Sequence, residues 1–271
     1  MARPQKTAPI KAGDRYVYTL SSYEPVEVTV RVARVTEDEV EQGLADMVAY
    51  YGGSMDALTD EWVAEQVKDV TTVAELRPYV RSQLEAMYAE AGERSKADLC
   101  VRELATRLCQ EVPEEELARA RAIVRASMER DLEANGMDVA GFLTMSGMSE
   151  TAFEAMVDQE ALEAAEREAA LEAFVSGREL TVDETEYPAL FGLSPAKVAA
   201  LIADMREMGH GEYVRHAALH AKAVRVLVEE CTCTYEHETP AMARLRREQY
   251  REVANRMAAR RDEGGPRLKL V

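Results

Sequence analysis

Aromatic residues and long apolar runs are both scarce in this chain of 271 residues. Aromatic side chains make up 6% of the sequence, and there is a single tryptophan. No run approaches the roughly 18 consecutive apolar residues that a membrane-spanning helix needs. Residues 1–10 also lack the apolar core of a secretory signal. The sequence therefore predicts a cytoplasmic protein with no membrane partner.

Cysteine is rare too, and its four positions do not form a metal-site pattern. The two closest cysteines read Cys-Thr-Cys, and no Cys or His pair completes them at zinc-site spacing. Such a pattern is typical of thiols kept reduced inside a cell. We therefore predict free thiols at Cys100, Cys109, Cys231 and Cys233.

Motifs that carry chemistry are missing as well. The sequence contains no GxGxxG, P-loop or GxSxG pattern. His216 and His220 are four residues apart, as in a helical metal-binding pair, but the glutamate of an HExxH site is absent. We therefore predict no catalytic residues, no cofactor and no metal site, and ordinary surface or packing roles for these histidines.

The residues that are abundant favour helices. Hydrophobic residues make up 47% of the chain and charged residues 31%, which is typical of a folded globular protein. Alternating valines predict a half-buried strand over residues 26–35, and residues 15–20 give the only other strong strand signal. We therefore predict a mainly α fold with a small N-terminal β element.

Apolar residues recur at helical spacing along most of the remaining chain. Thr36 and Glu39 form a capping box that predicts the start of one helix. Pro113 and Ser149 mark the starts of two later helices. Two predicted helices run for about 25–35 residues, above the usual globular range, and contain few large apolar side chains. One of them begins after Thr71 or Thr72 and runs toward Gln110. This pattern favours an elongated multi-helix body with two arm-like helical hairpins and partly exposed grooves.

Four stretches of the chain share the order and spacing of a known family. Residues 27–52 (EVTVRVARVTEDEVEQGLADMVAYYG) carry a strand that leads into a linker helix, and residues 58–85 follow it. Residues 112–157 carry two helices joined by a Gly-Met, Phe-Leu and Gly-Met-Ser-Glu connection, and residues 213–235 form a closing helix. Over residues 26–235 the chain resembles the C-terminal chaperone domain of bacterial trigger factor.

This resemblance implies an ATP-independent chaperone that holds unfolded or partly folded polypeptides. The family inserts an FKBP-like prolyl isomerase domain after the linker helix, but only four residues separate Gly53 from Leu58, where such a domain needs about a hundred. The Gly-Phe-Arg-x-Gly-Lys-x-Pro loop of the ribosome-docking domain is absent from the sequence too. We therefore predict no enzymatic activity. The alternative is a dedicated assembly or interaction partner for one client, and a truncated isomerase is disfavoured.

The resemblance and the change of composition after Tyr235 predict three segments. Residues 1–35 form an N-terminal extension, whose first 12 residues are predicted to be disordered, and a β element. Residues 36–235 form a helical domain like the trigger factor C-terminus. Residues 236–271 form a basic helical tail.

Methionine is the residue type that points most directly to a client-binding surface. Its flexible, polarizable side chain adapts to many partners, and the chain contains 13. Several lie with Phe and Leu around the predicted connection between the two arm helices. They could line a surface that contacts clients, or they could form a local core at the tip of the arm. The candidate residues are Met128, Leu132, Met137, Phe142, Leu143, Met145, Met148, Phe153 and Met156.

Charge is distributed unevenly along the chain. The net charge of −17 argues against a general nucleic-acid binder, yet residues 241–271 contain nine Lys and Arg against four Asp and Glu. This tail could be a solvated helix, could contact ribosomal RNA, or could contact the acidic body of a second copy in a homodimer. The candidate tail residues are Arg244, Arg246, Arg247 and Arg251.

Overall fold

The computed structural model describes residues 5–262, without the side chains of residues 57 and 253–262. The end of the predicted tail, residues 263–271, lies outside this range. The described strands are β1 (Ile10–Ala12), β2 (Arg15–Val17), β3 (Glu27–Val32) and β4 (Thr232–His237). The described helices are α1 (Glu37–Tyr50), α2 (Asp60–Gln66), α3 (Val73–Ala105), α4 (Glu114–Ala134), α5 (Val139–Ser146), α6 (Glu150–Gly177), α7 (Tyr187–Phe191), α8 (Pro195–Glu207), α9 (Gly211–Glu230) and α10 (Pro240–Asp262).

The predicted mainly α fold is therefore confirmed. The described residues divide into two compact units, which we call the arm unit (5–28 and 97–232) and the linker unit (29–96 and 233–260). The strands β3 and β4 and the helix α3 contribute residues to both. The division of the chain into three segments at residues 35 and 235 stays a prediction.

In the linker unit, α1 begins at the predicted capping box. The Thr36 side chain accepts a hydrogen bond from the Glu39 amide, and the Glu39 carboxylate accepts one from the Thr36 amide. Apolar side chains of α1, α2 and the first part of α3 then form one core. Its buried members are Val40, Leu44, Val48, Val63, Val67, Val70, Leu76 and Val80.

The strand prediction was right for β3 but missed β4. In β3 every second residue is buried, as the alternating valines indicated. In β4 five of the six residues are exposed, so no alternation of apolar and polar residues marks this strand in the sequence. Thr232 N donates to Val26 O at 2.9 Å, and Glu238 N donates to Val32 O at 3.0 Å. Between these two bonds the chain advances by six residues in each segment, so the two strands run parallel.

The N-terminal segment is tied to the end of α3 in the arm unit. The sequence predicted a disordered start through residue 12, but Thr7 N donates to Cys109 O at 2.8 Å, and β1 pairs with β2. Cys109 N donates in turn to Thr19 O at 3.0 Å. These bonds use backbone groups that a longer helix would need, which explains why α3 ends at Ala105 rather than near Gln110.

The helices of the arm unit pack in two groups. The antiparallel helices α4 and α6 form a hairpin with α5 at its connection, and α9 packs against α6. Ten residues of α6 are buried, and five of them are alanines, whose small side chains let neighbouring helices approach closely. The helices α7, α8 and α9 form a second core around Tyr187, Val198, Val214 and Ala218.

Candidate polypeptide-binding surface

Two ion pairs fix the register of the α4–α6 hairpin. Arg121 Nε lies 2.5 Å from Asp158 Oδ1, and Arg125 pairs with Glu154 one helical turn away. Moving one turn forward along α4 thus matches moving one turn back along α6, as antiparallel packing requires. Midway between the two pairs, position 123 of α4 lies level with position 156 of α6.

Ile123 and Met156 occupy these two level positions on the other face of the hairpin. A shift of two residues along a helix turns the side chain by about 200°, so Ile123 points away from the face that carries Arg121 and Arg125. The same geometry separates Met156 from Glu154 and Asp158. Ile123 is 62% exposed and Met156 is 36% exposed. The hairpin therefore has one face of ion pairs and one face with an exposed apolar pair, which we call the Ile123–Met156 face.

Electrostatic contacts keep the ion-pair face and the base of α4 in place. The carboxylate of Glu154 accepts a hydrogen bond from Arg125 and raises the pKa of that guanidinium. At the base of the helix, the Tyr18 hydroxyl donates to Glu116. Burial, followed by this bond, raises the pKa of Tyr18 above its ordinary value. Neither of these contacts involves Ile123 or Met156.

Some apolar side chains at the tip of the hairpin pack together into a small core. The Phe142 and Phe153 rings meet edge to face with their centroids 6.1 Å apart, and the Arg125 guanidinium lies 5.9 Å from the Phe153 centroid. Phe153 is 2% exposed and Met137 is 9% exposed. A shallow groove of about 480 Å³ runs beside Met137, lined also by Glu133, Gly136, Asp138 and Gly141.

The structure therefore divides the predicted client-contact residues by exposure. Phe153 and Met137 are buried, and Met156 is exposed. The other six are half-buried and present part of their surface around the tip: Met128, Leu132, Phe142, Leu143, Met145 and Met148. Contact of all nine with a client stays a prediction.

Ile123 was missed by the sequence reasoning. It falls outside the apolar stripe that Leu117, Ala120, Val124, Met128 and Leu132 form at helical spacing, on the side of α4 where polar residues are expected. A search for large apolar residues that interrupt a polar helix face would have found it.

A second set of exposed apolar side chains belongs to α8, α9 and the turns that lead into them. Leu193 and Leu201 are each 37% exposed, Met208 is 58% exposed and Tyr213 is 66% exposed. No methionine cluster in the sequence pointed to this region.

The candidate tail residues lie in different environments of the linker unit. Arg246 donates to Glu39 and Glu238, and Arg251 pairs with Asp38 at 3.4 Å. The Nε atom of Arg247 is buried, without a hydrogen-bond partner among the described residues. Arg244 is exposed. The four arginines therefore differ in how accessible their charges are to a partner.

Comparison with known proteins agrees with this architecture. The family model described as the bacterial trigger factor protein C-terminus matches residues 72–229, which is more than half of the chain. The chain belongs to the bacterial trigger factor C-terminus family. The matched region of the trigger factor C-terminus model begins just before α3 and ends within the last turn of α9. This is a chaperone family whose members are generally non-enzymatic, and membership suggests a chaperone-like function for the chain.

No curated protein matches the chain. Among residues 5–262, no single helix is both long and apolar enough to cross a membrane. The bent pair formed by Glu184–Phe191 and Pro195–Glu207 meets that test only when the two segments are counted together.

Proposed function

We propose that this chain is an ATP-independent holdase, which binds unfolded or partly folded polypeptides without a prolyl isomerase activity. The observation that carries the proposal is the exposed apolar pair of Ile123 and Met156, on the face of the hairpin opposite its ion pairs. Membership of the trigger factor family supports a role with polypeptide clients.

The physical requirements of holding are modest and match this surface. A holdase needs apolar surface that competes with aggregation for exposed segments of the client. The Met156 side chain adapts to different partners, and the half-buried residues at the tip extend the apolar area. The net charge of −17 keeps a chaperone–client complex apart from other complexes by repulsion.

Aggregation of several unrelated, chemically denatured clients tests the proposal, with light scattering measured in the absence of nucleotide. The full chain should suppress aggregation of all of them. The double variant Ile123→Asn/Met156→Gln removes about 1–2 kcal/mol of apolar burial, so the Kd for a client should rise roughly five- to thirtyfold. Both positions are exposed, and the variant should fold normally.

The matched control is Met87→Gln, which removes a 46% exposed methionine from α3 in the linker unit. It should leave client affinity within about twofold. An equal loss in the control and in the double variant would place binding elsewhere than on the hairpin. Protection of one client alone would favour the alternative, a dedicated assembly or interaction partner. Acceleration of prolyl isomerisation in a test peptide would contradict the absence of isomerase activity.

Ribosome binding through the basic tail is a subordinate part of the proposal. The internal hydrogen bonds of Arg246 leave Arg244 and Arg251 as the better candidates for contact with RNA. Co-sedimentation with ribosomes should weaken in Arg244→Gln/Arg251→Gln and with rising salt, because phosphate contacts are electrostatic. Unchanged sedimentation would exclude the tail. A homodimer should appear as a concentration-dependent mass in sedimentation equilibrium.

A further inference from the structure

Three side chains in the arm unit converge on one point that the proposed function does not use. His216 and His220 lie one turn apart on α9, and their ring centroids are 4.2 Å apart at 51°. Glu172 of α6 faces both of them. Its Oε2 atom lies 2.8 Å from His216 Nε2 and 3.3 Å from His220 Nε2.

The three ligand atoms have the spacing of a transition-metal site. They all lie within 4.8 Å of one another. Zn²⁺ binds nitrogen and oxygen at about 2.0–2.2 Å in a tetrahedron, which places neighbouring ligand atoms about 3.3 Å apart. The separation of Glu172 and His220 already has this value. The separation of Glu172 and His216 needs to open by about half an ångström, which a small rotation of the glutamate side chain supplies.

The site is also reachable from solvent. The side chains of Glu172 and His216 are each 42% exposed, whereas His220 is 16% exposed. His220 is thus packed against the helices, whereas Glu172 and His216 border water. A water molecule can therefore occupy the fourth coordination position of the ion. The charged neighbours that act on His216 are Glu168, one turn before Glu172 on α6, and Arg15 of β2.

We propose that Glu172, His216 and His220 bind one Zn²⁺ ion, which links α6 to α9. Two imidazoles and one carboxylate suit Zn²⁺ and other late first-row divalent metals rather than Mg²⁺ or Ca²⁺. The sequence reasoning noted the spacing of the two histidines but found no third ligand. That ligand lies 44 residues before His216 and comes to the site only through the packing of α6 on α9.

Isothermal titration with Zn²⁺ at neutral pH tests the site. The full chain is used with Cys231→Ser and Cys233→Ser, so that this thiol pair does not compete for the ion. In that background we expect one ion to bind per chain. Glu172→Gln and His216→Asn should each weaken binding at least about tenfold, since even the loss of an outer-shell partner costs that much. His210→Asn, at an exposed histidine before α9, should change nothing.

Two further measurements separate a metal site from a merely structural cluster. Zn²⁺ at about 100 times its Kd should lower the unfolding constant about a hundredfold and raise Tm. At the same Zn²⁺ concentration, Glu172→Gln, whose Kd is at least about tenfold higher, should show a decrease of about tenfold at most. Arg15→Gln should tighten Zn²⁺ binding and Glu168→Gln should weaken it, each by a few-fold through charge alone. Circular dichroism checks that every variant keeps its helices.

Spectroscopy with Co²⁺ gives a test that does not depend on stability. A nitrogen and oxygen site should give d–d absorption without the charge-transfer band of thiolate ligands. Equal Zn²⁺ affinity in the parent chain, Glu172→Gln and His216→Asn would overturn the proposal. A Co²⁺ spectrum dominated by thiolate charge transfer would overturn it as well. Neither result would bear on client holding, because Ile123 and Met156 take no part in this site.

Discussion

The guanidinium of Arg246 lies 2.7 Å from the carboxylate of Glu39, 207 residues earlier in the chain. Glu39 accepts further hydrogen bonds from the Thr36 amide at 2.8 Å and the Tyr88 hydroxyl at 2.7 Å. Arg246 also donates to Glu238 and to the carbonyl of Arg34. One capping glutamate thus connects α1, α3 and α10 within the linker unit.

This network predicts a large effect on stability when Arg246 loses its charge. The side chains of Glu39 and Arg246 are 9% and 19% exposed, so Arg246→Met leaves a buried carboxylate without its main partner. We expect a loss of about 2–4 kcal/mol in the free energy of unfolding. Urea unfolding followed by Trp62 fluorescence measures it, because the single tryptophan packs against the core of the linker unit.

The control for this prediction is Arg251→Gln on the same helix. Its partner is Asp38, and the two side chains are 64% and 66% exposed. Such a surface pair contributes at most about 1 kcal/mol. Equal losses in Arg246→Met and Arg251→Gln would show that the Glu39 network does not stabilise the fold.

Glu39 also predicts how stability changes with pH. Burial opposes its ionisation, but hydrogen bonds from Arg246, Thr36 and Tyr88 outweigh burial and lower its pKa to about 2. The unfolded chain has the ordinary value of about 4.5. The stabilising contribution is therefore complete above pH 4.5 and is lost as the pH falls from 4.5 towards 2, by about 3 kcal/mol in all.

Comparison with Glu39→Gln isolates this contribution. The variant should be less stable than the wild type at pH 7 and should lose less further stability between pH 4.5 and pH 2. The measurement is urea unfolding by Trp62 fluorescence at several pH values. Parallel stability curves for the two proteins would contradict a lowered pKa at Glu39.

The sequence predicted local structure better than it predicted contacts between residues that are far apart in the chain. The capping box of Thr36 and Glu39 was visible because its two residues are three positions apart. The link from Glu39 to Arg246 was not, since nothing in the sequence brings α10 to α1. The same holds for Glu172, whose approach to His216 depends on how α6 and α9 pack. Exposed Ile123 was missed because helical periodicity identifies buried stripes rather than apolar residues outside them.

Close packing at the end of α6 predicts a strong effect of a single methyl group. A Cβ added at Gly177 would overlap the ring of Tyr23, whose carbonyl accepts a hydrogen bond from Arg178 at 3.3 Å. Gly177→Ala should therefore destabilise the arm unit by about 1–3 kcal/mol, measured by thermal unfolding with circular dichroism. In a Tyr23→Ala background the same substitution should be neutral or slightly stabilising, because alanine favours helices. An equal penalty in both backgrounds would exclude the clash as the cause.

The position of clients on the hairpin can be mapped with a photo-crosslinking side chain placed at single sites. Phe153 is 2% exposed and packs on Phe142, whereas Ile123 is 62% exposed. If clients bind the Ile123–Met156 face, a crosslinker at position 123 or 156 should label a denatured client strongly. A crosslinker at position 158, on the ion-pair face, should label it weakly, and one at position 153 should lower Tm and label little. Strong labelling from position 153 without loss of Tm would mean that the tip opens to expose its core to clients. Binding would then be located at the aromatic pair of Phe142 and Phe153, in place of the surface that Ile123 and Met156 present.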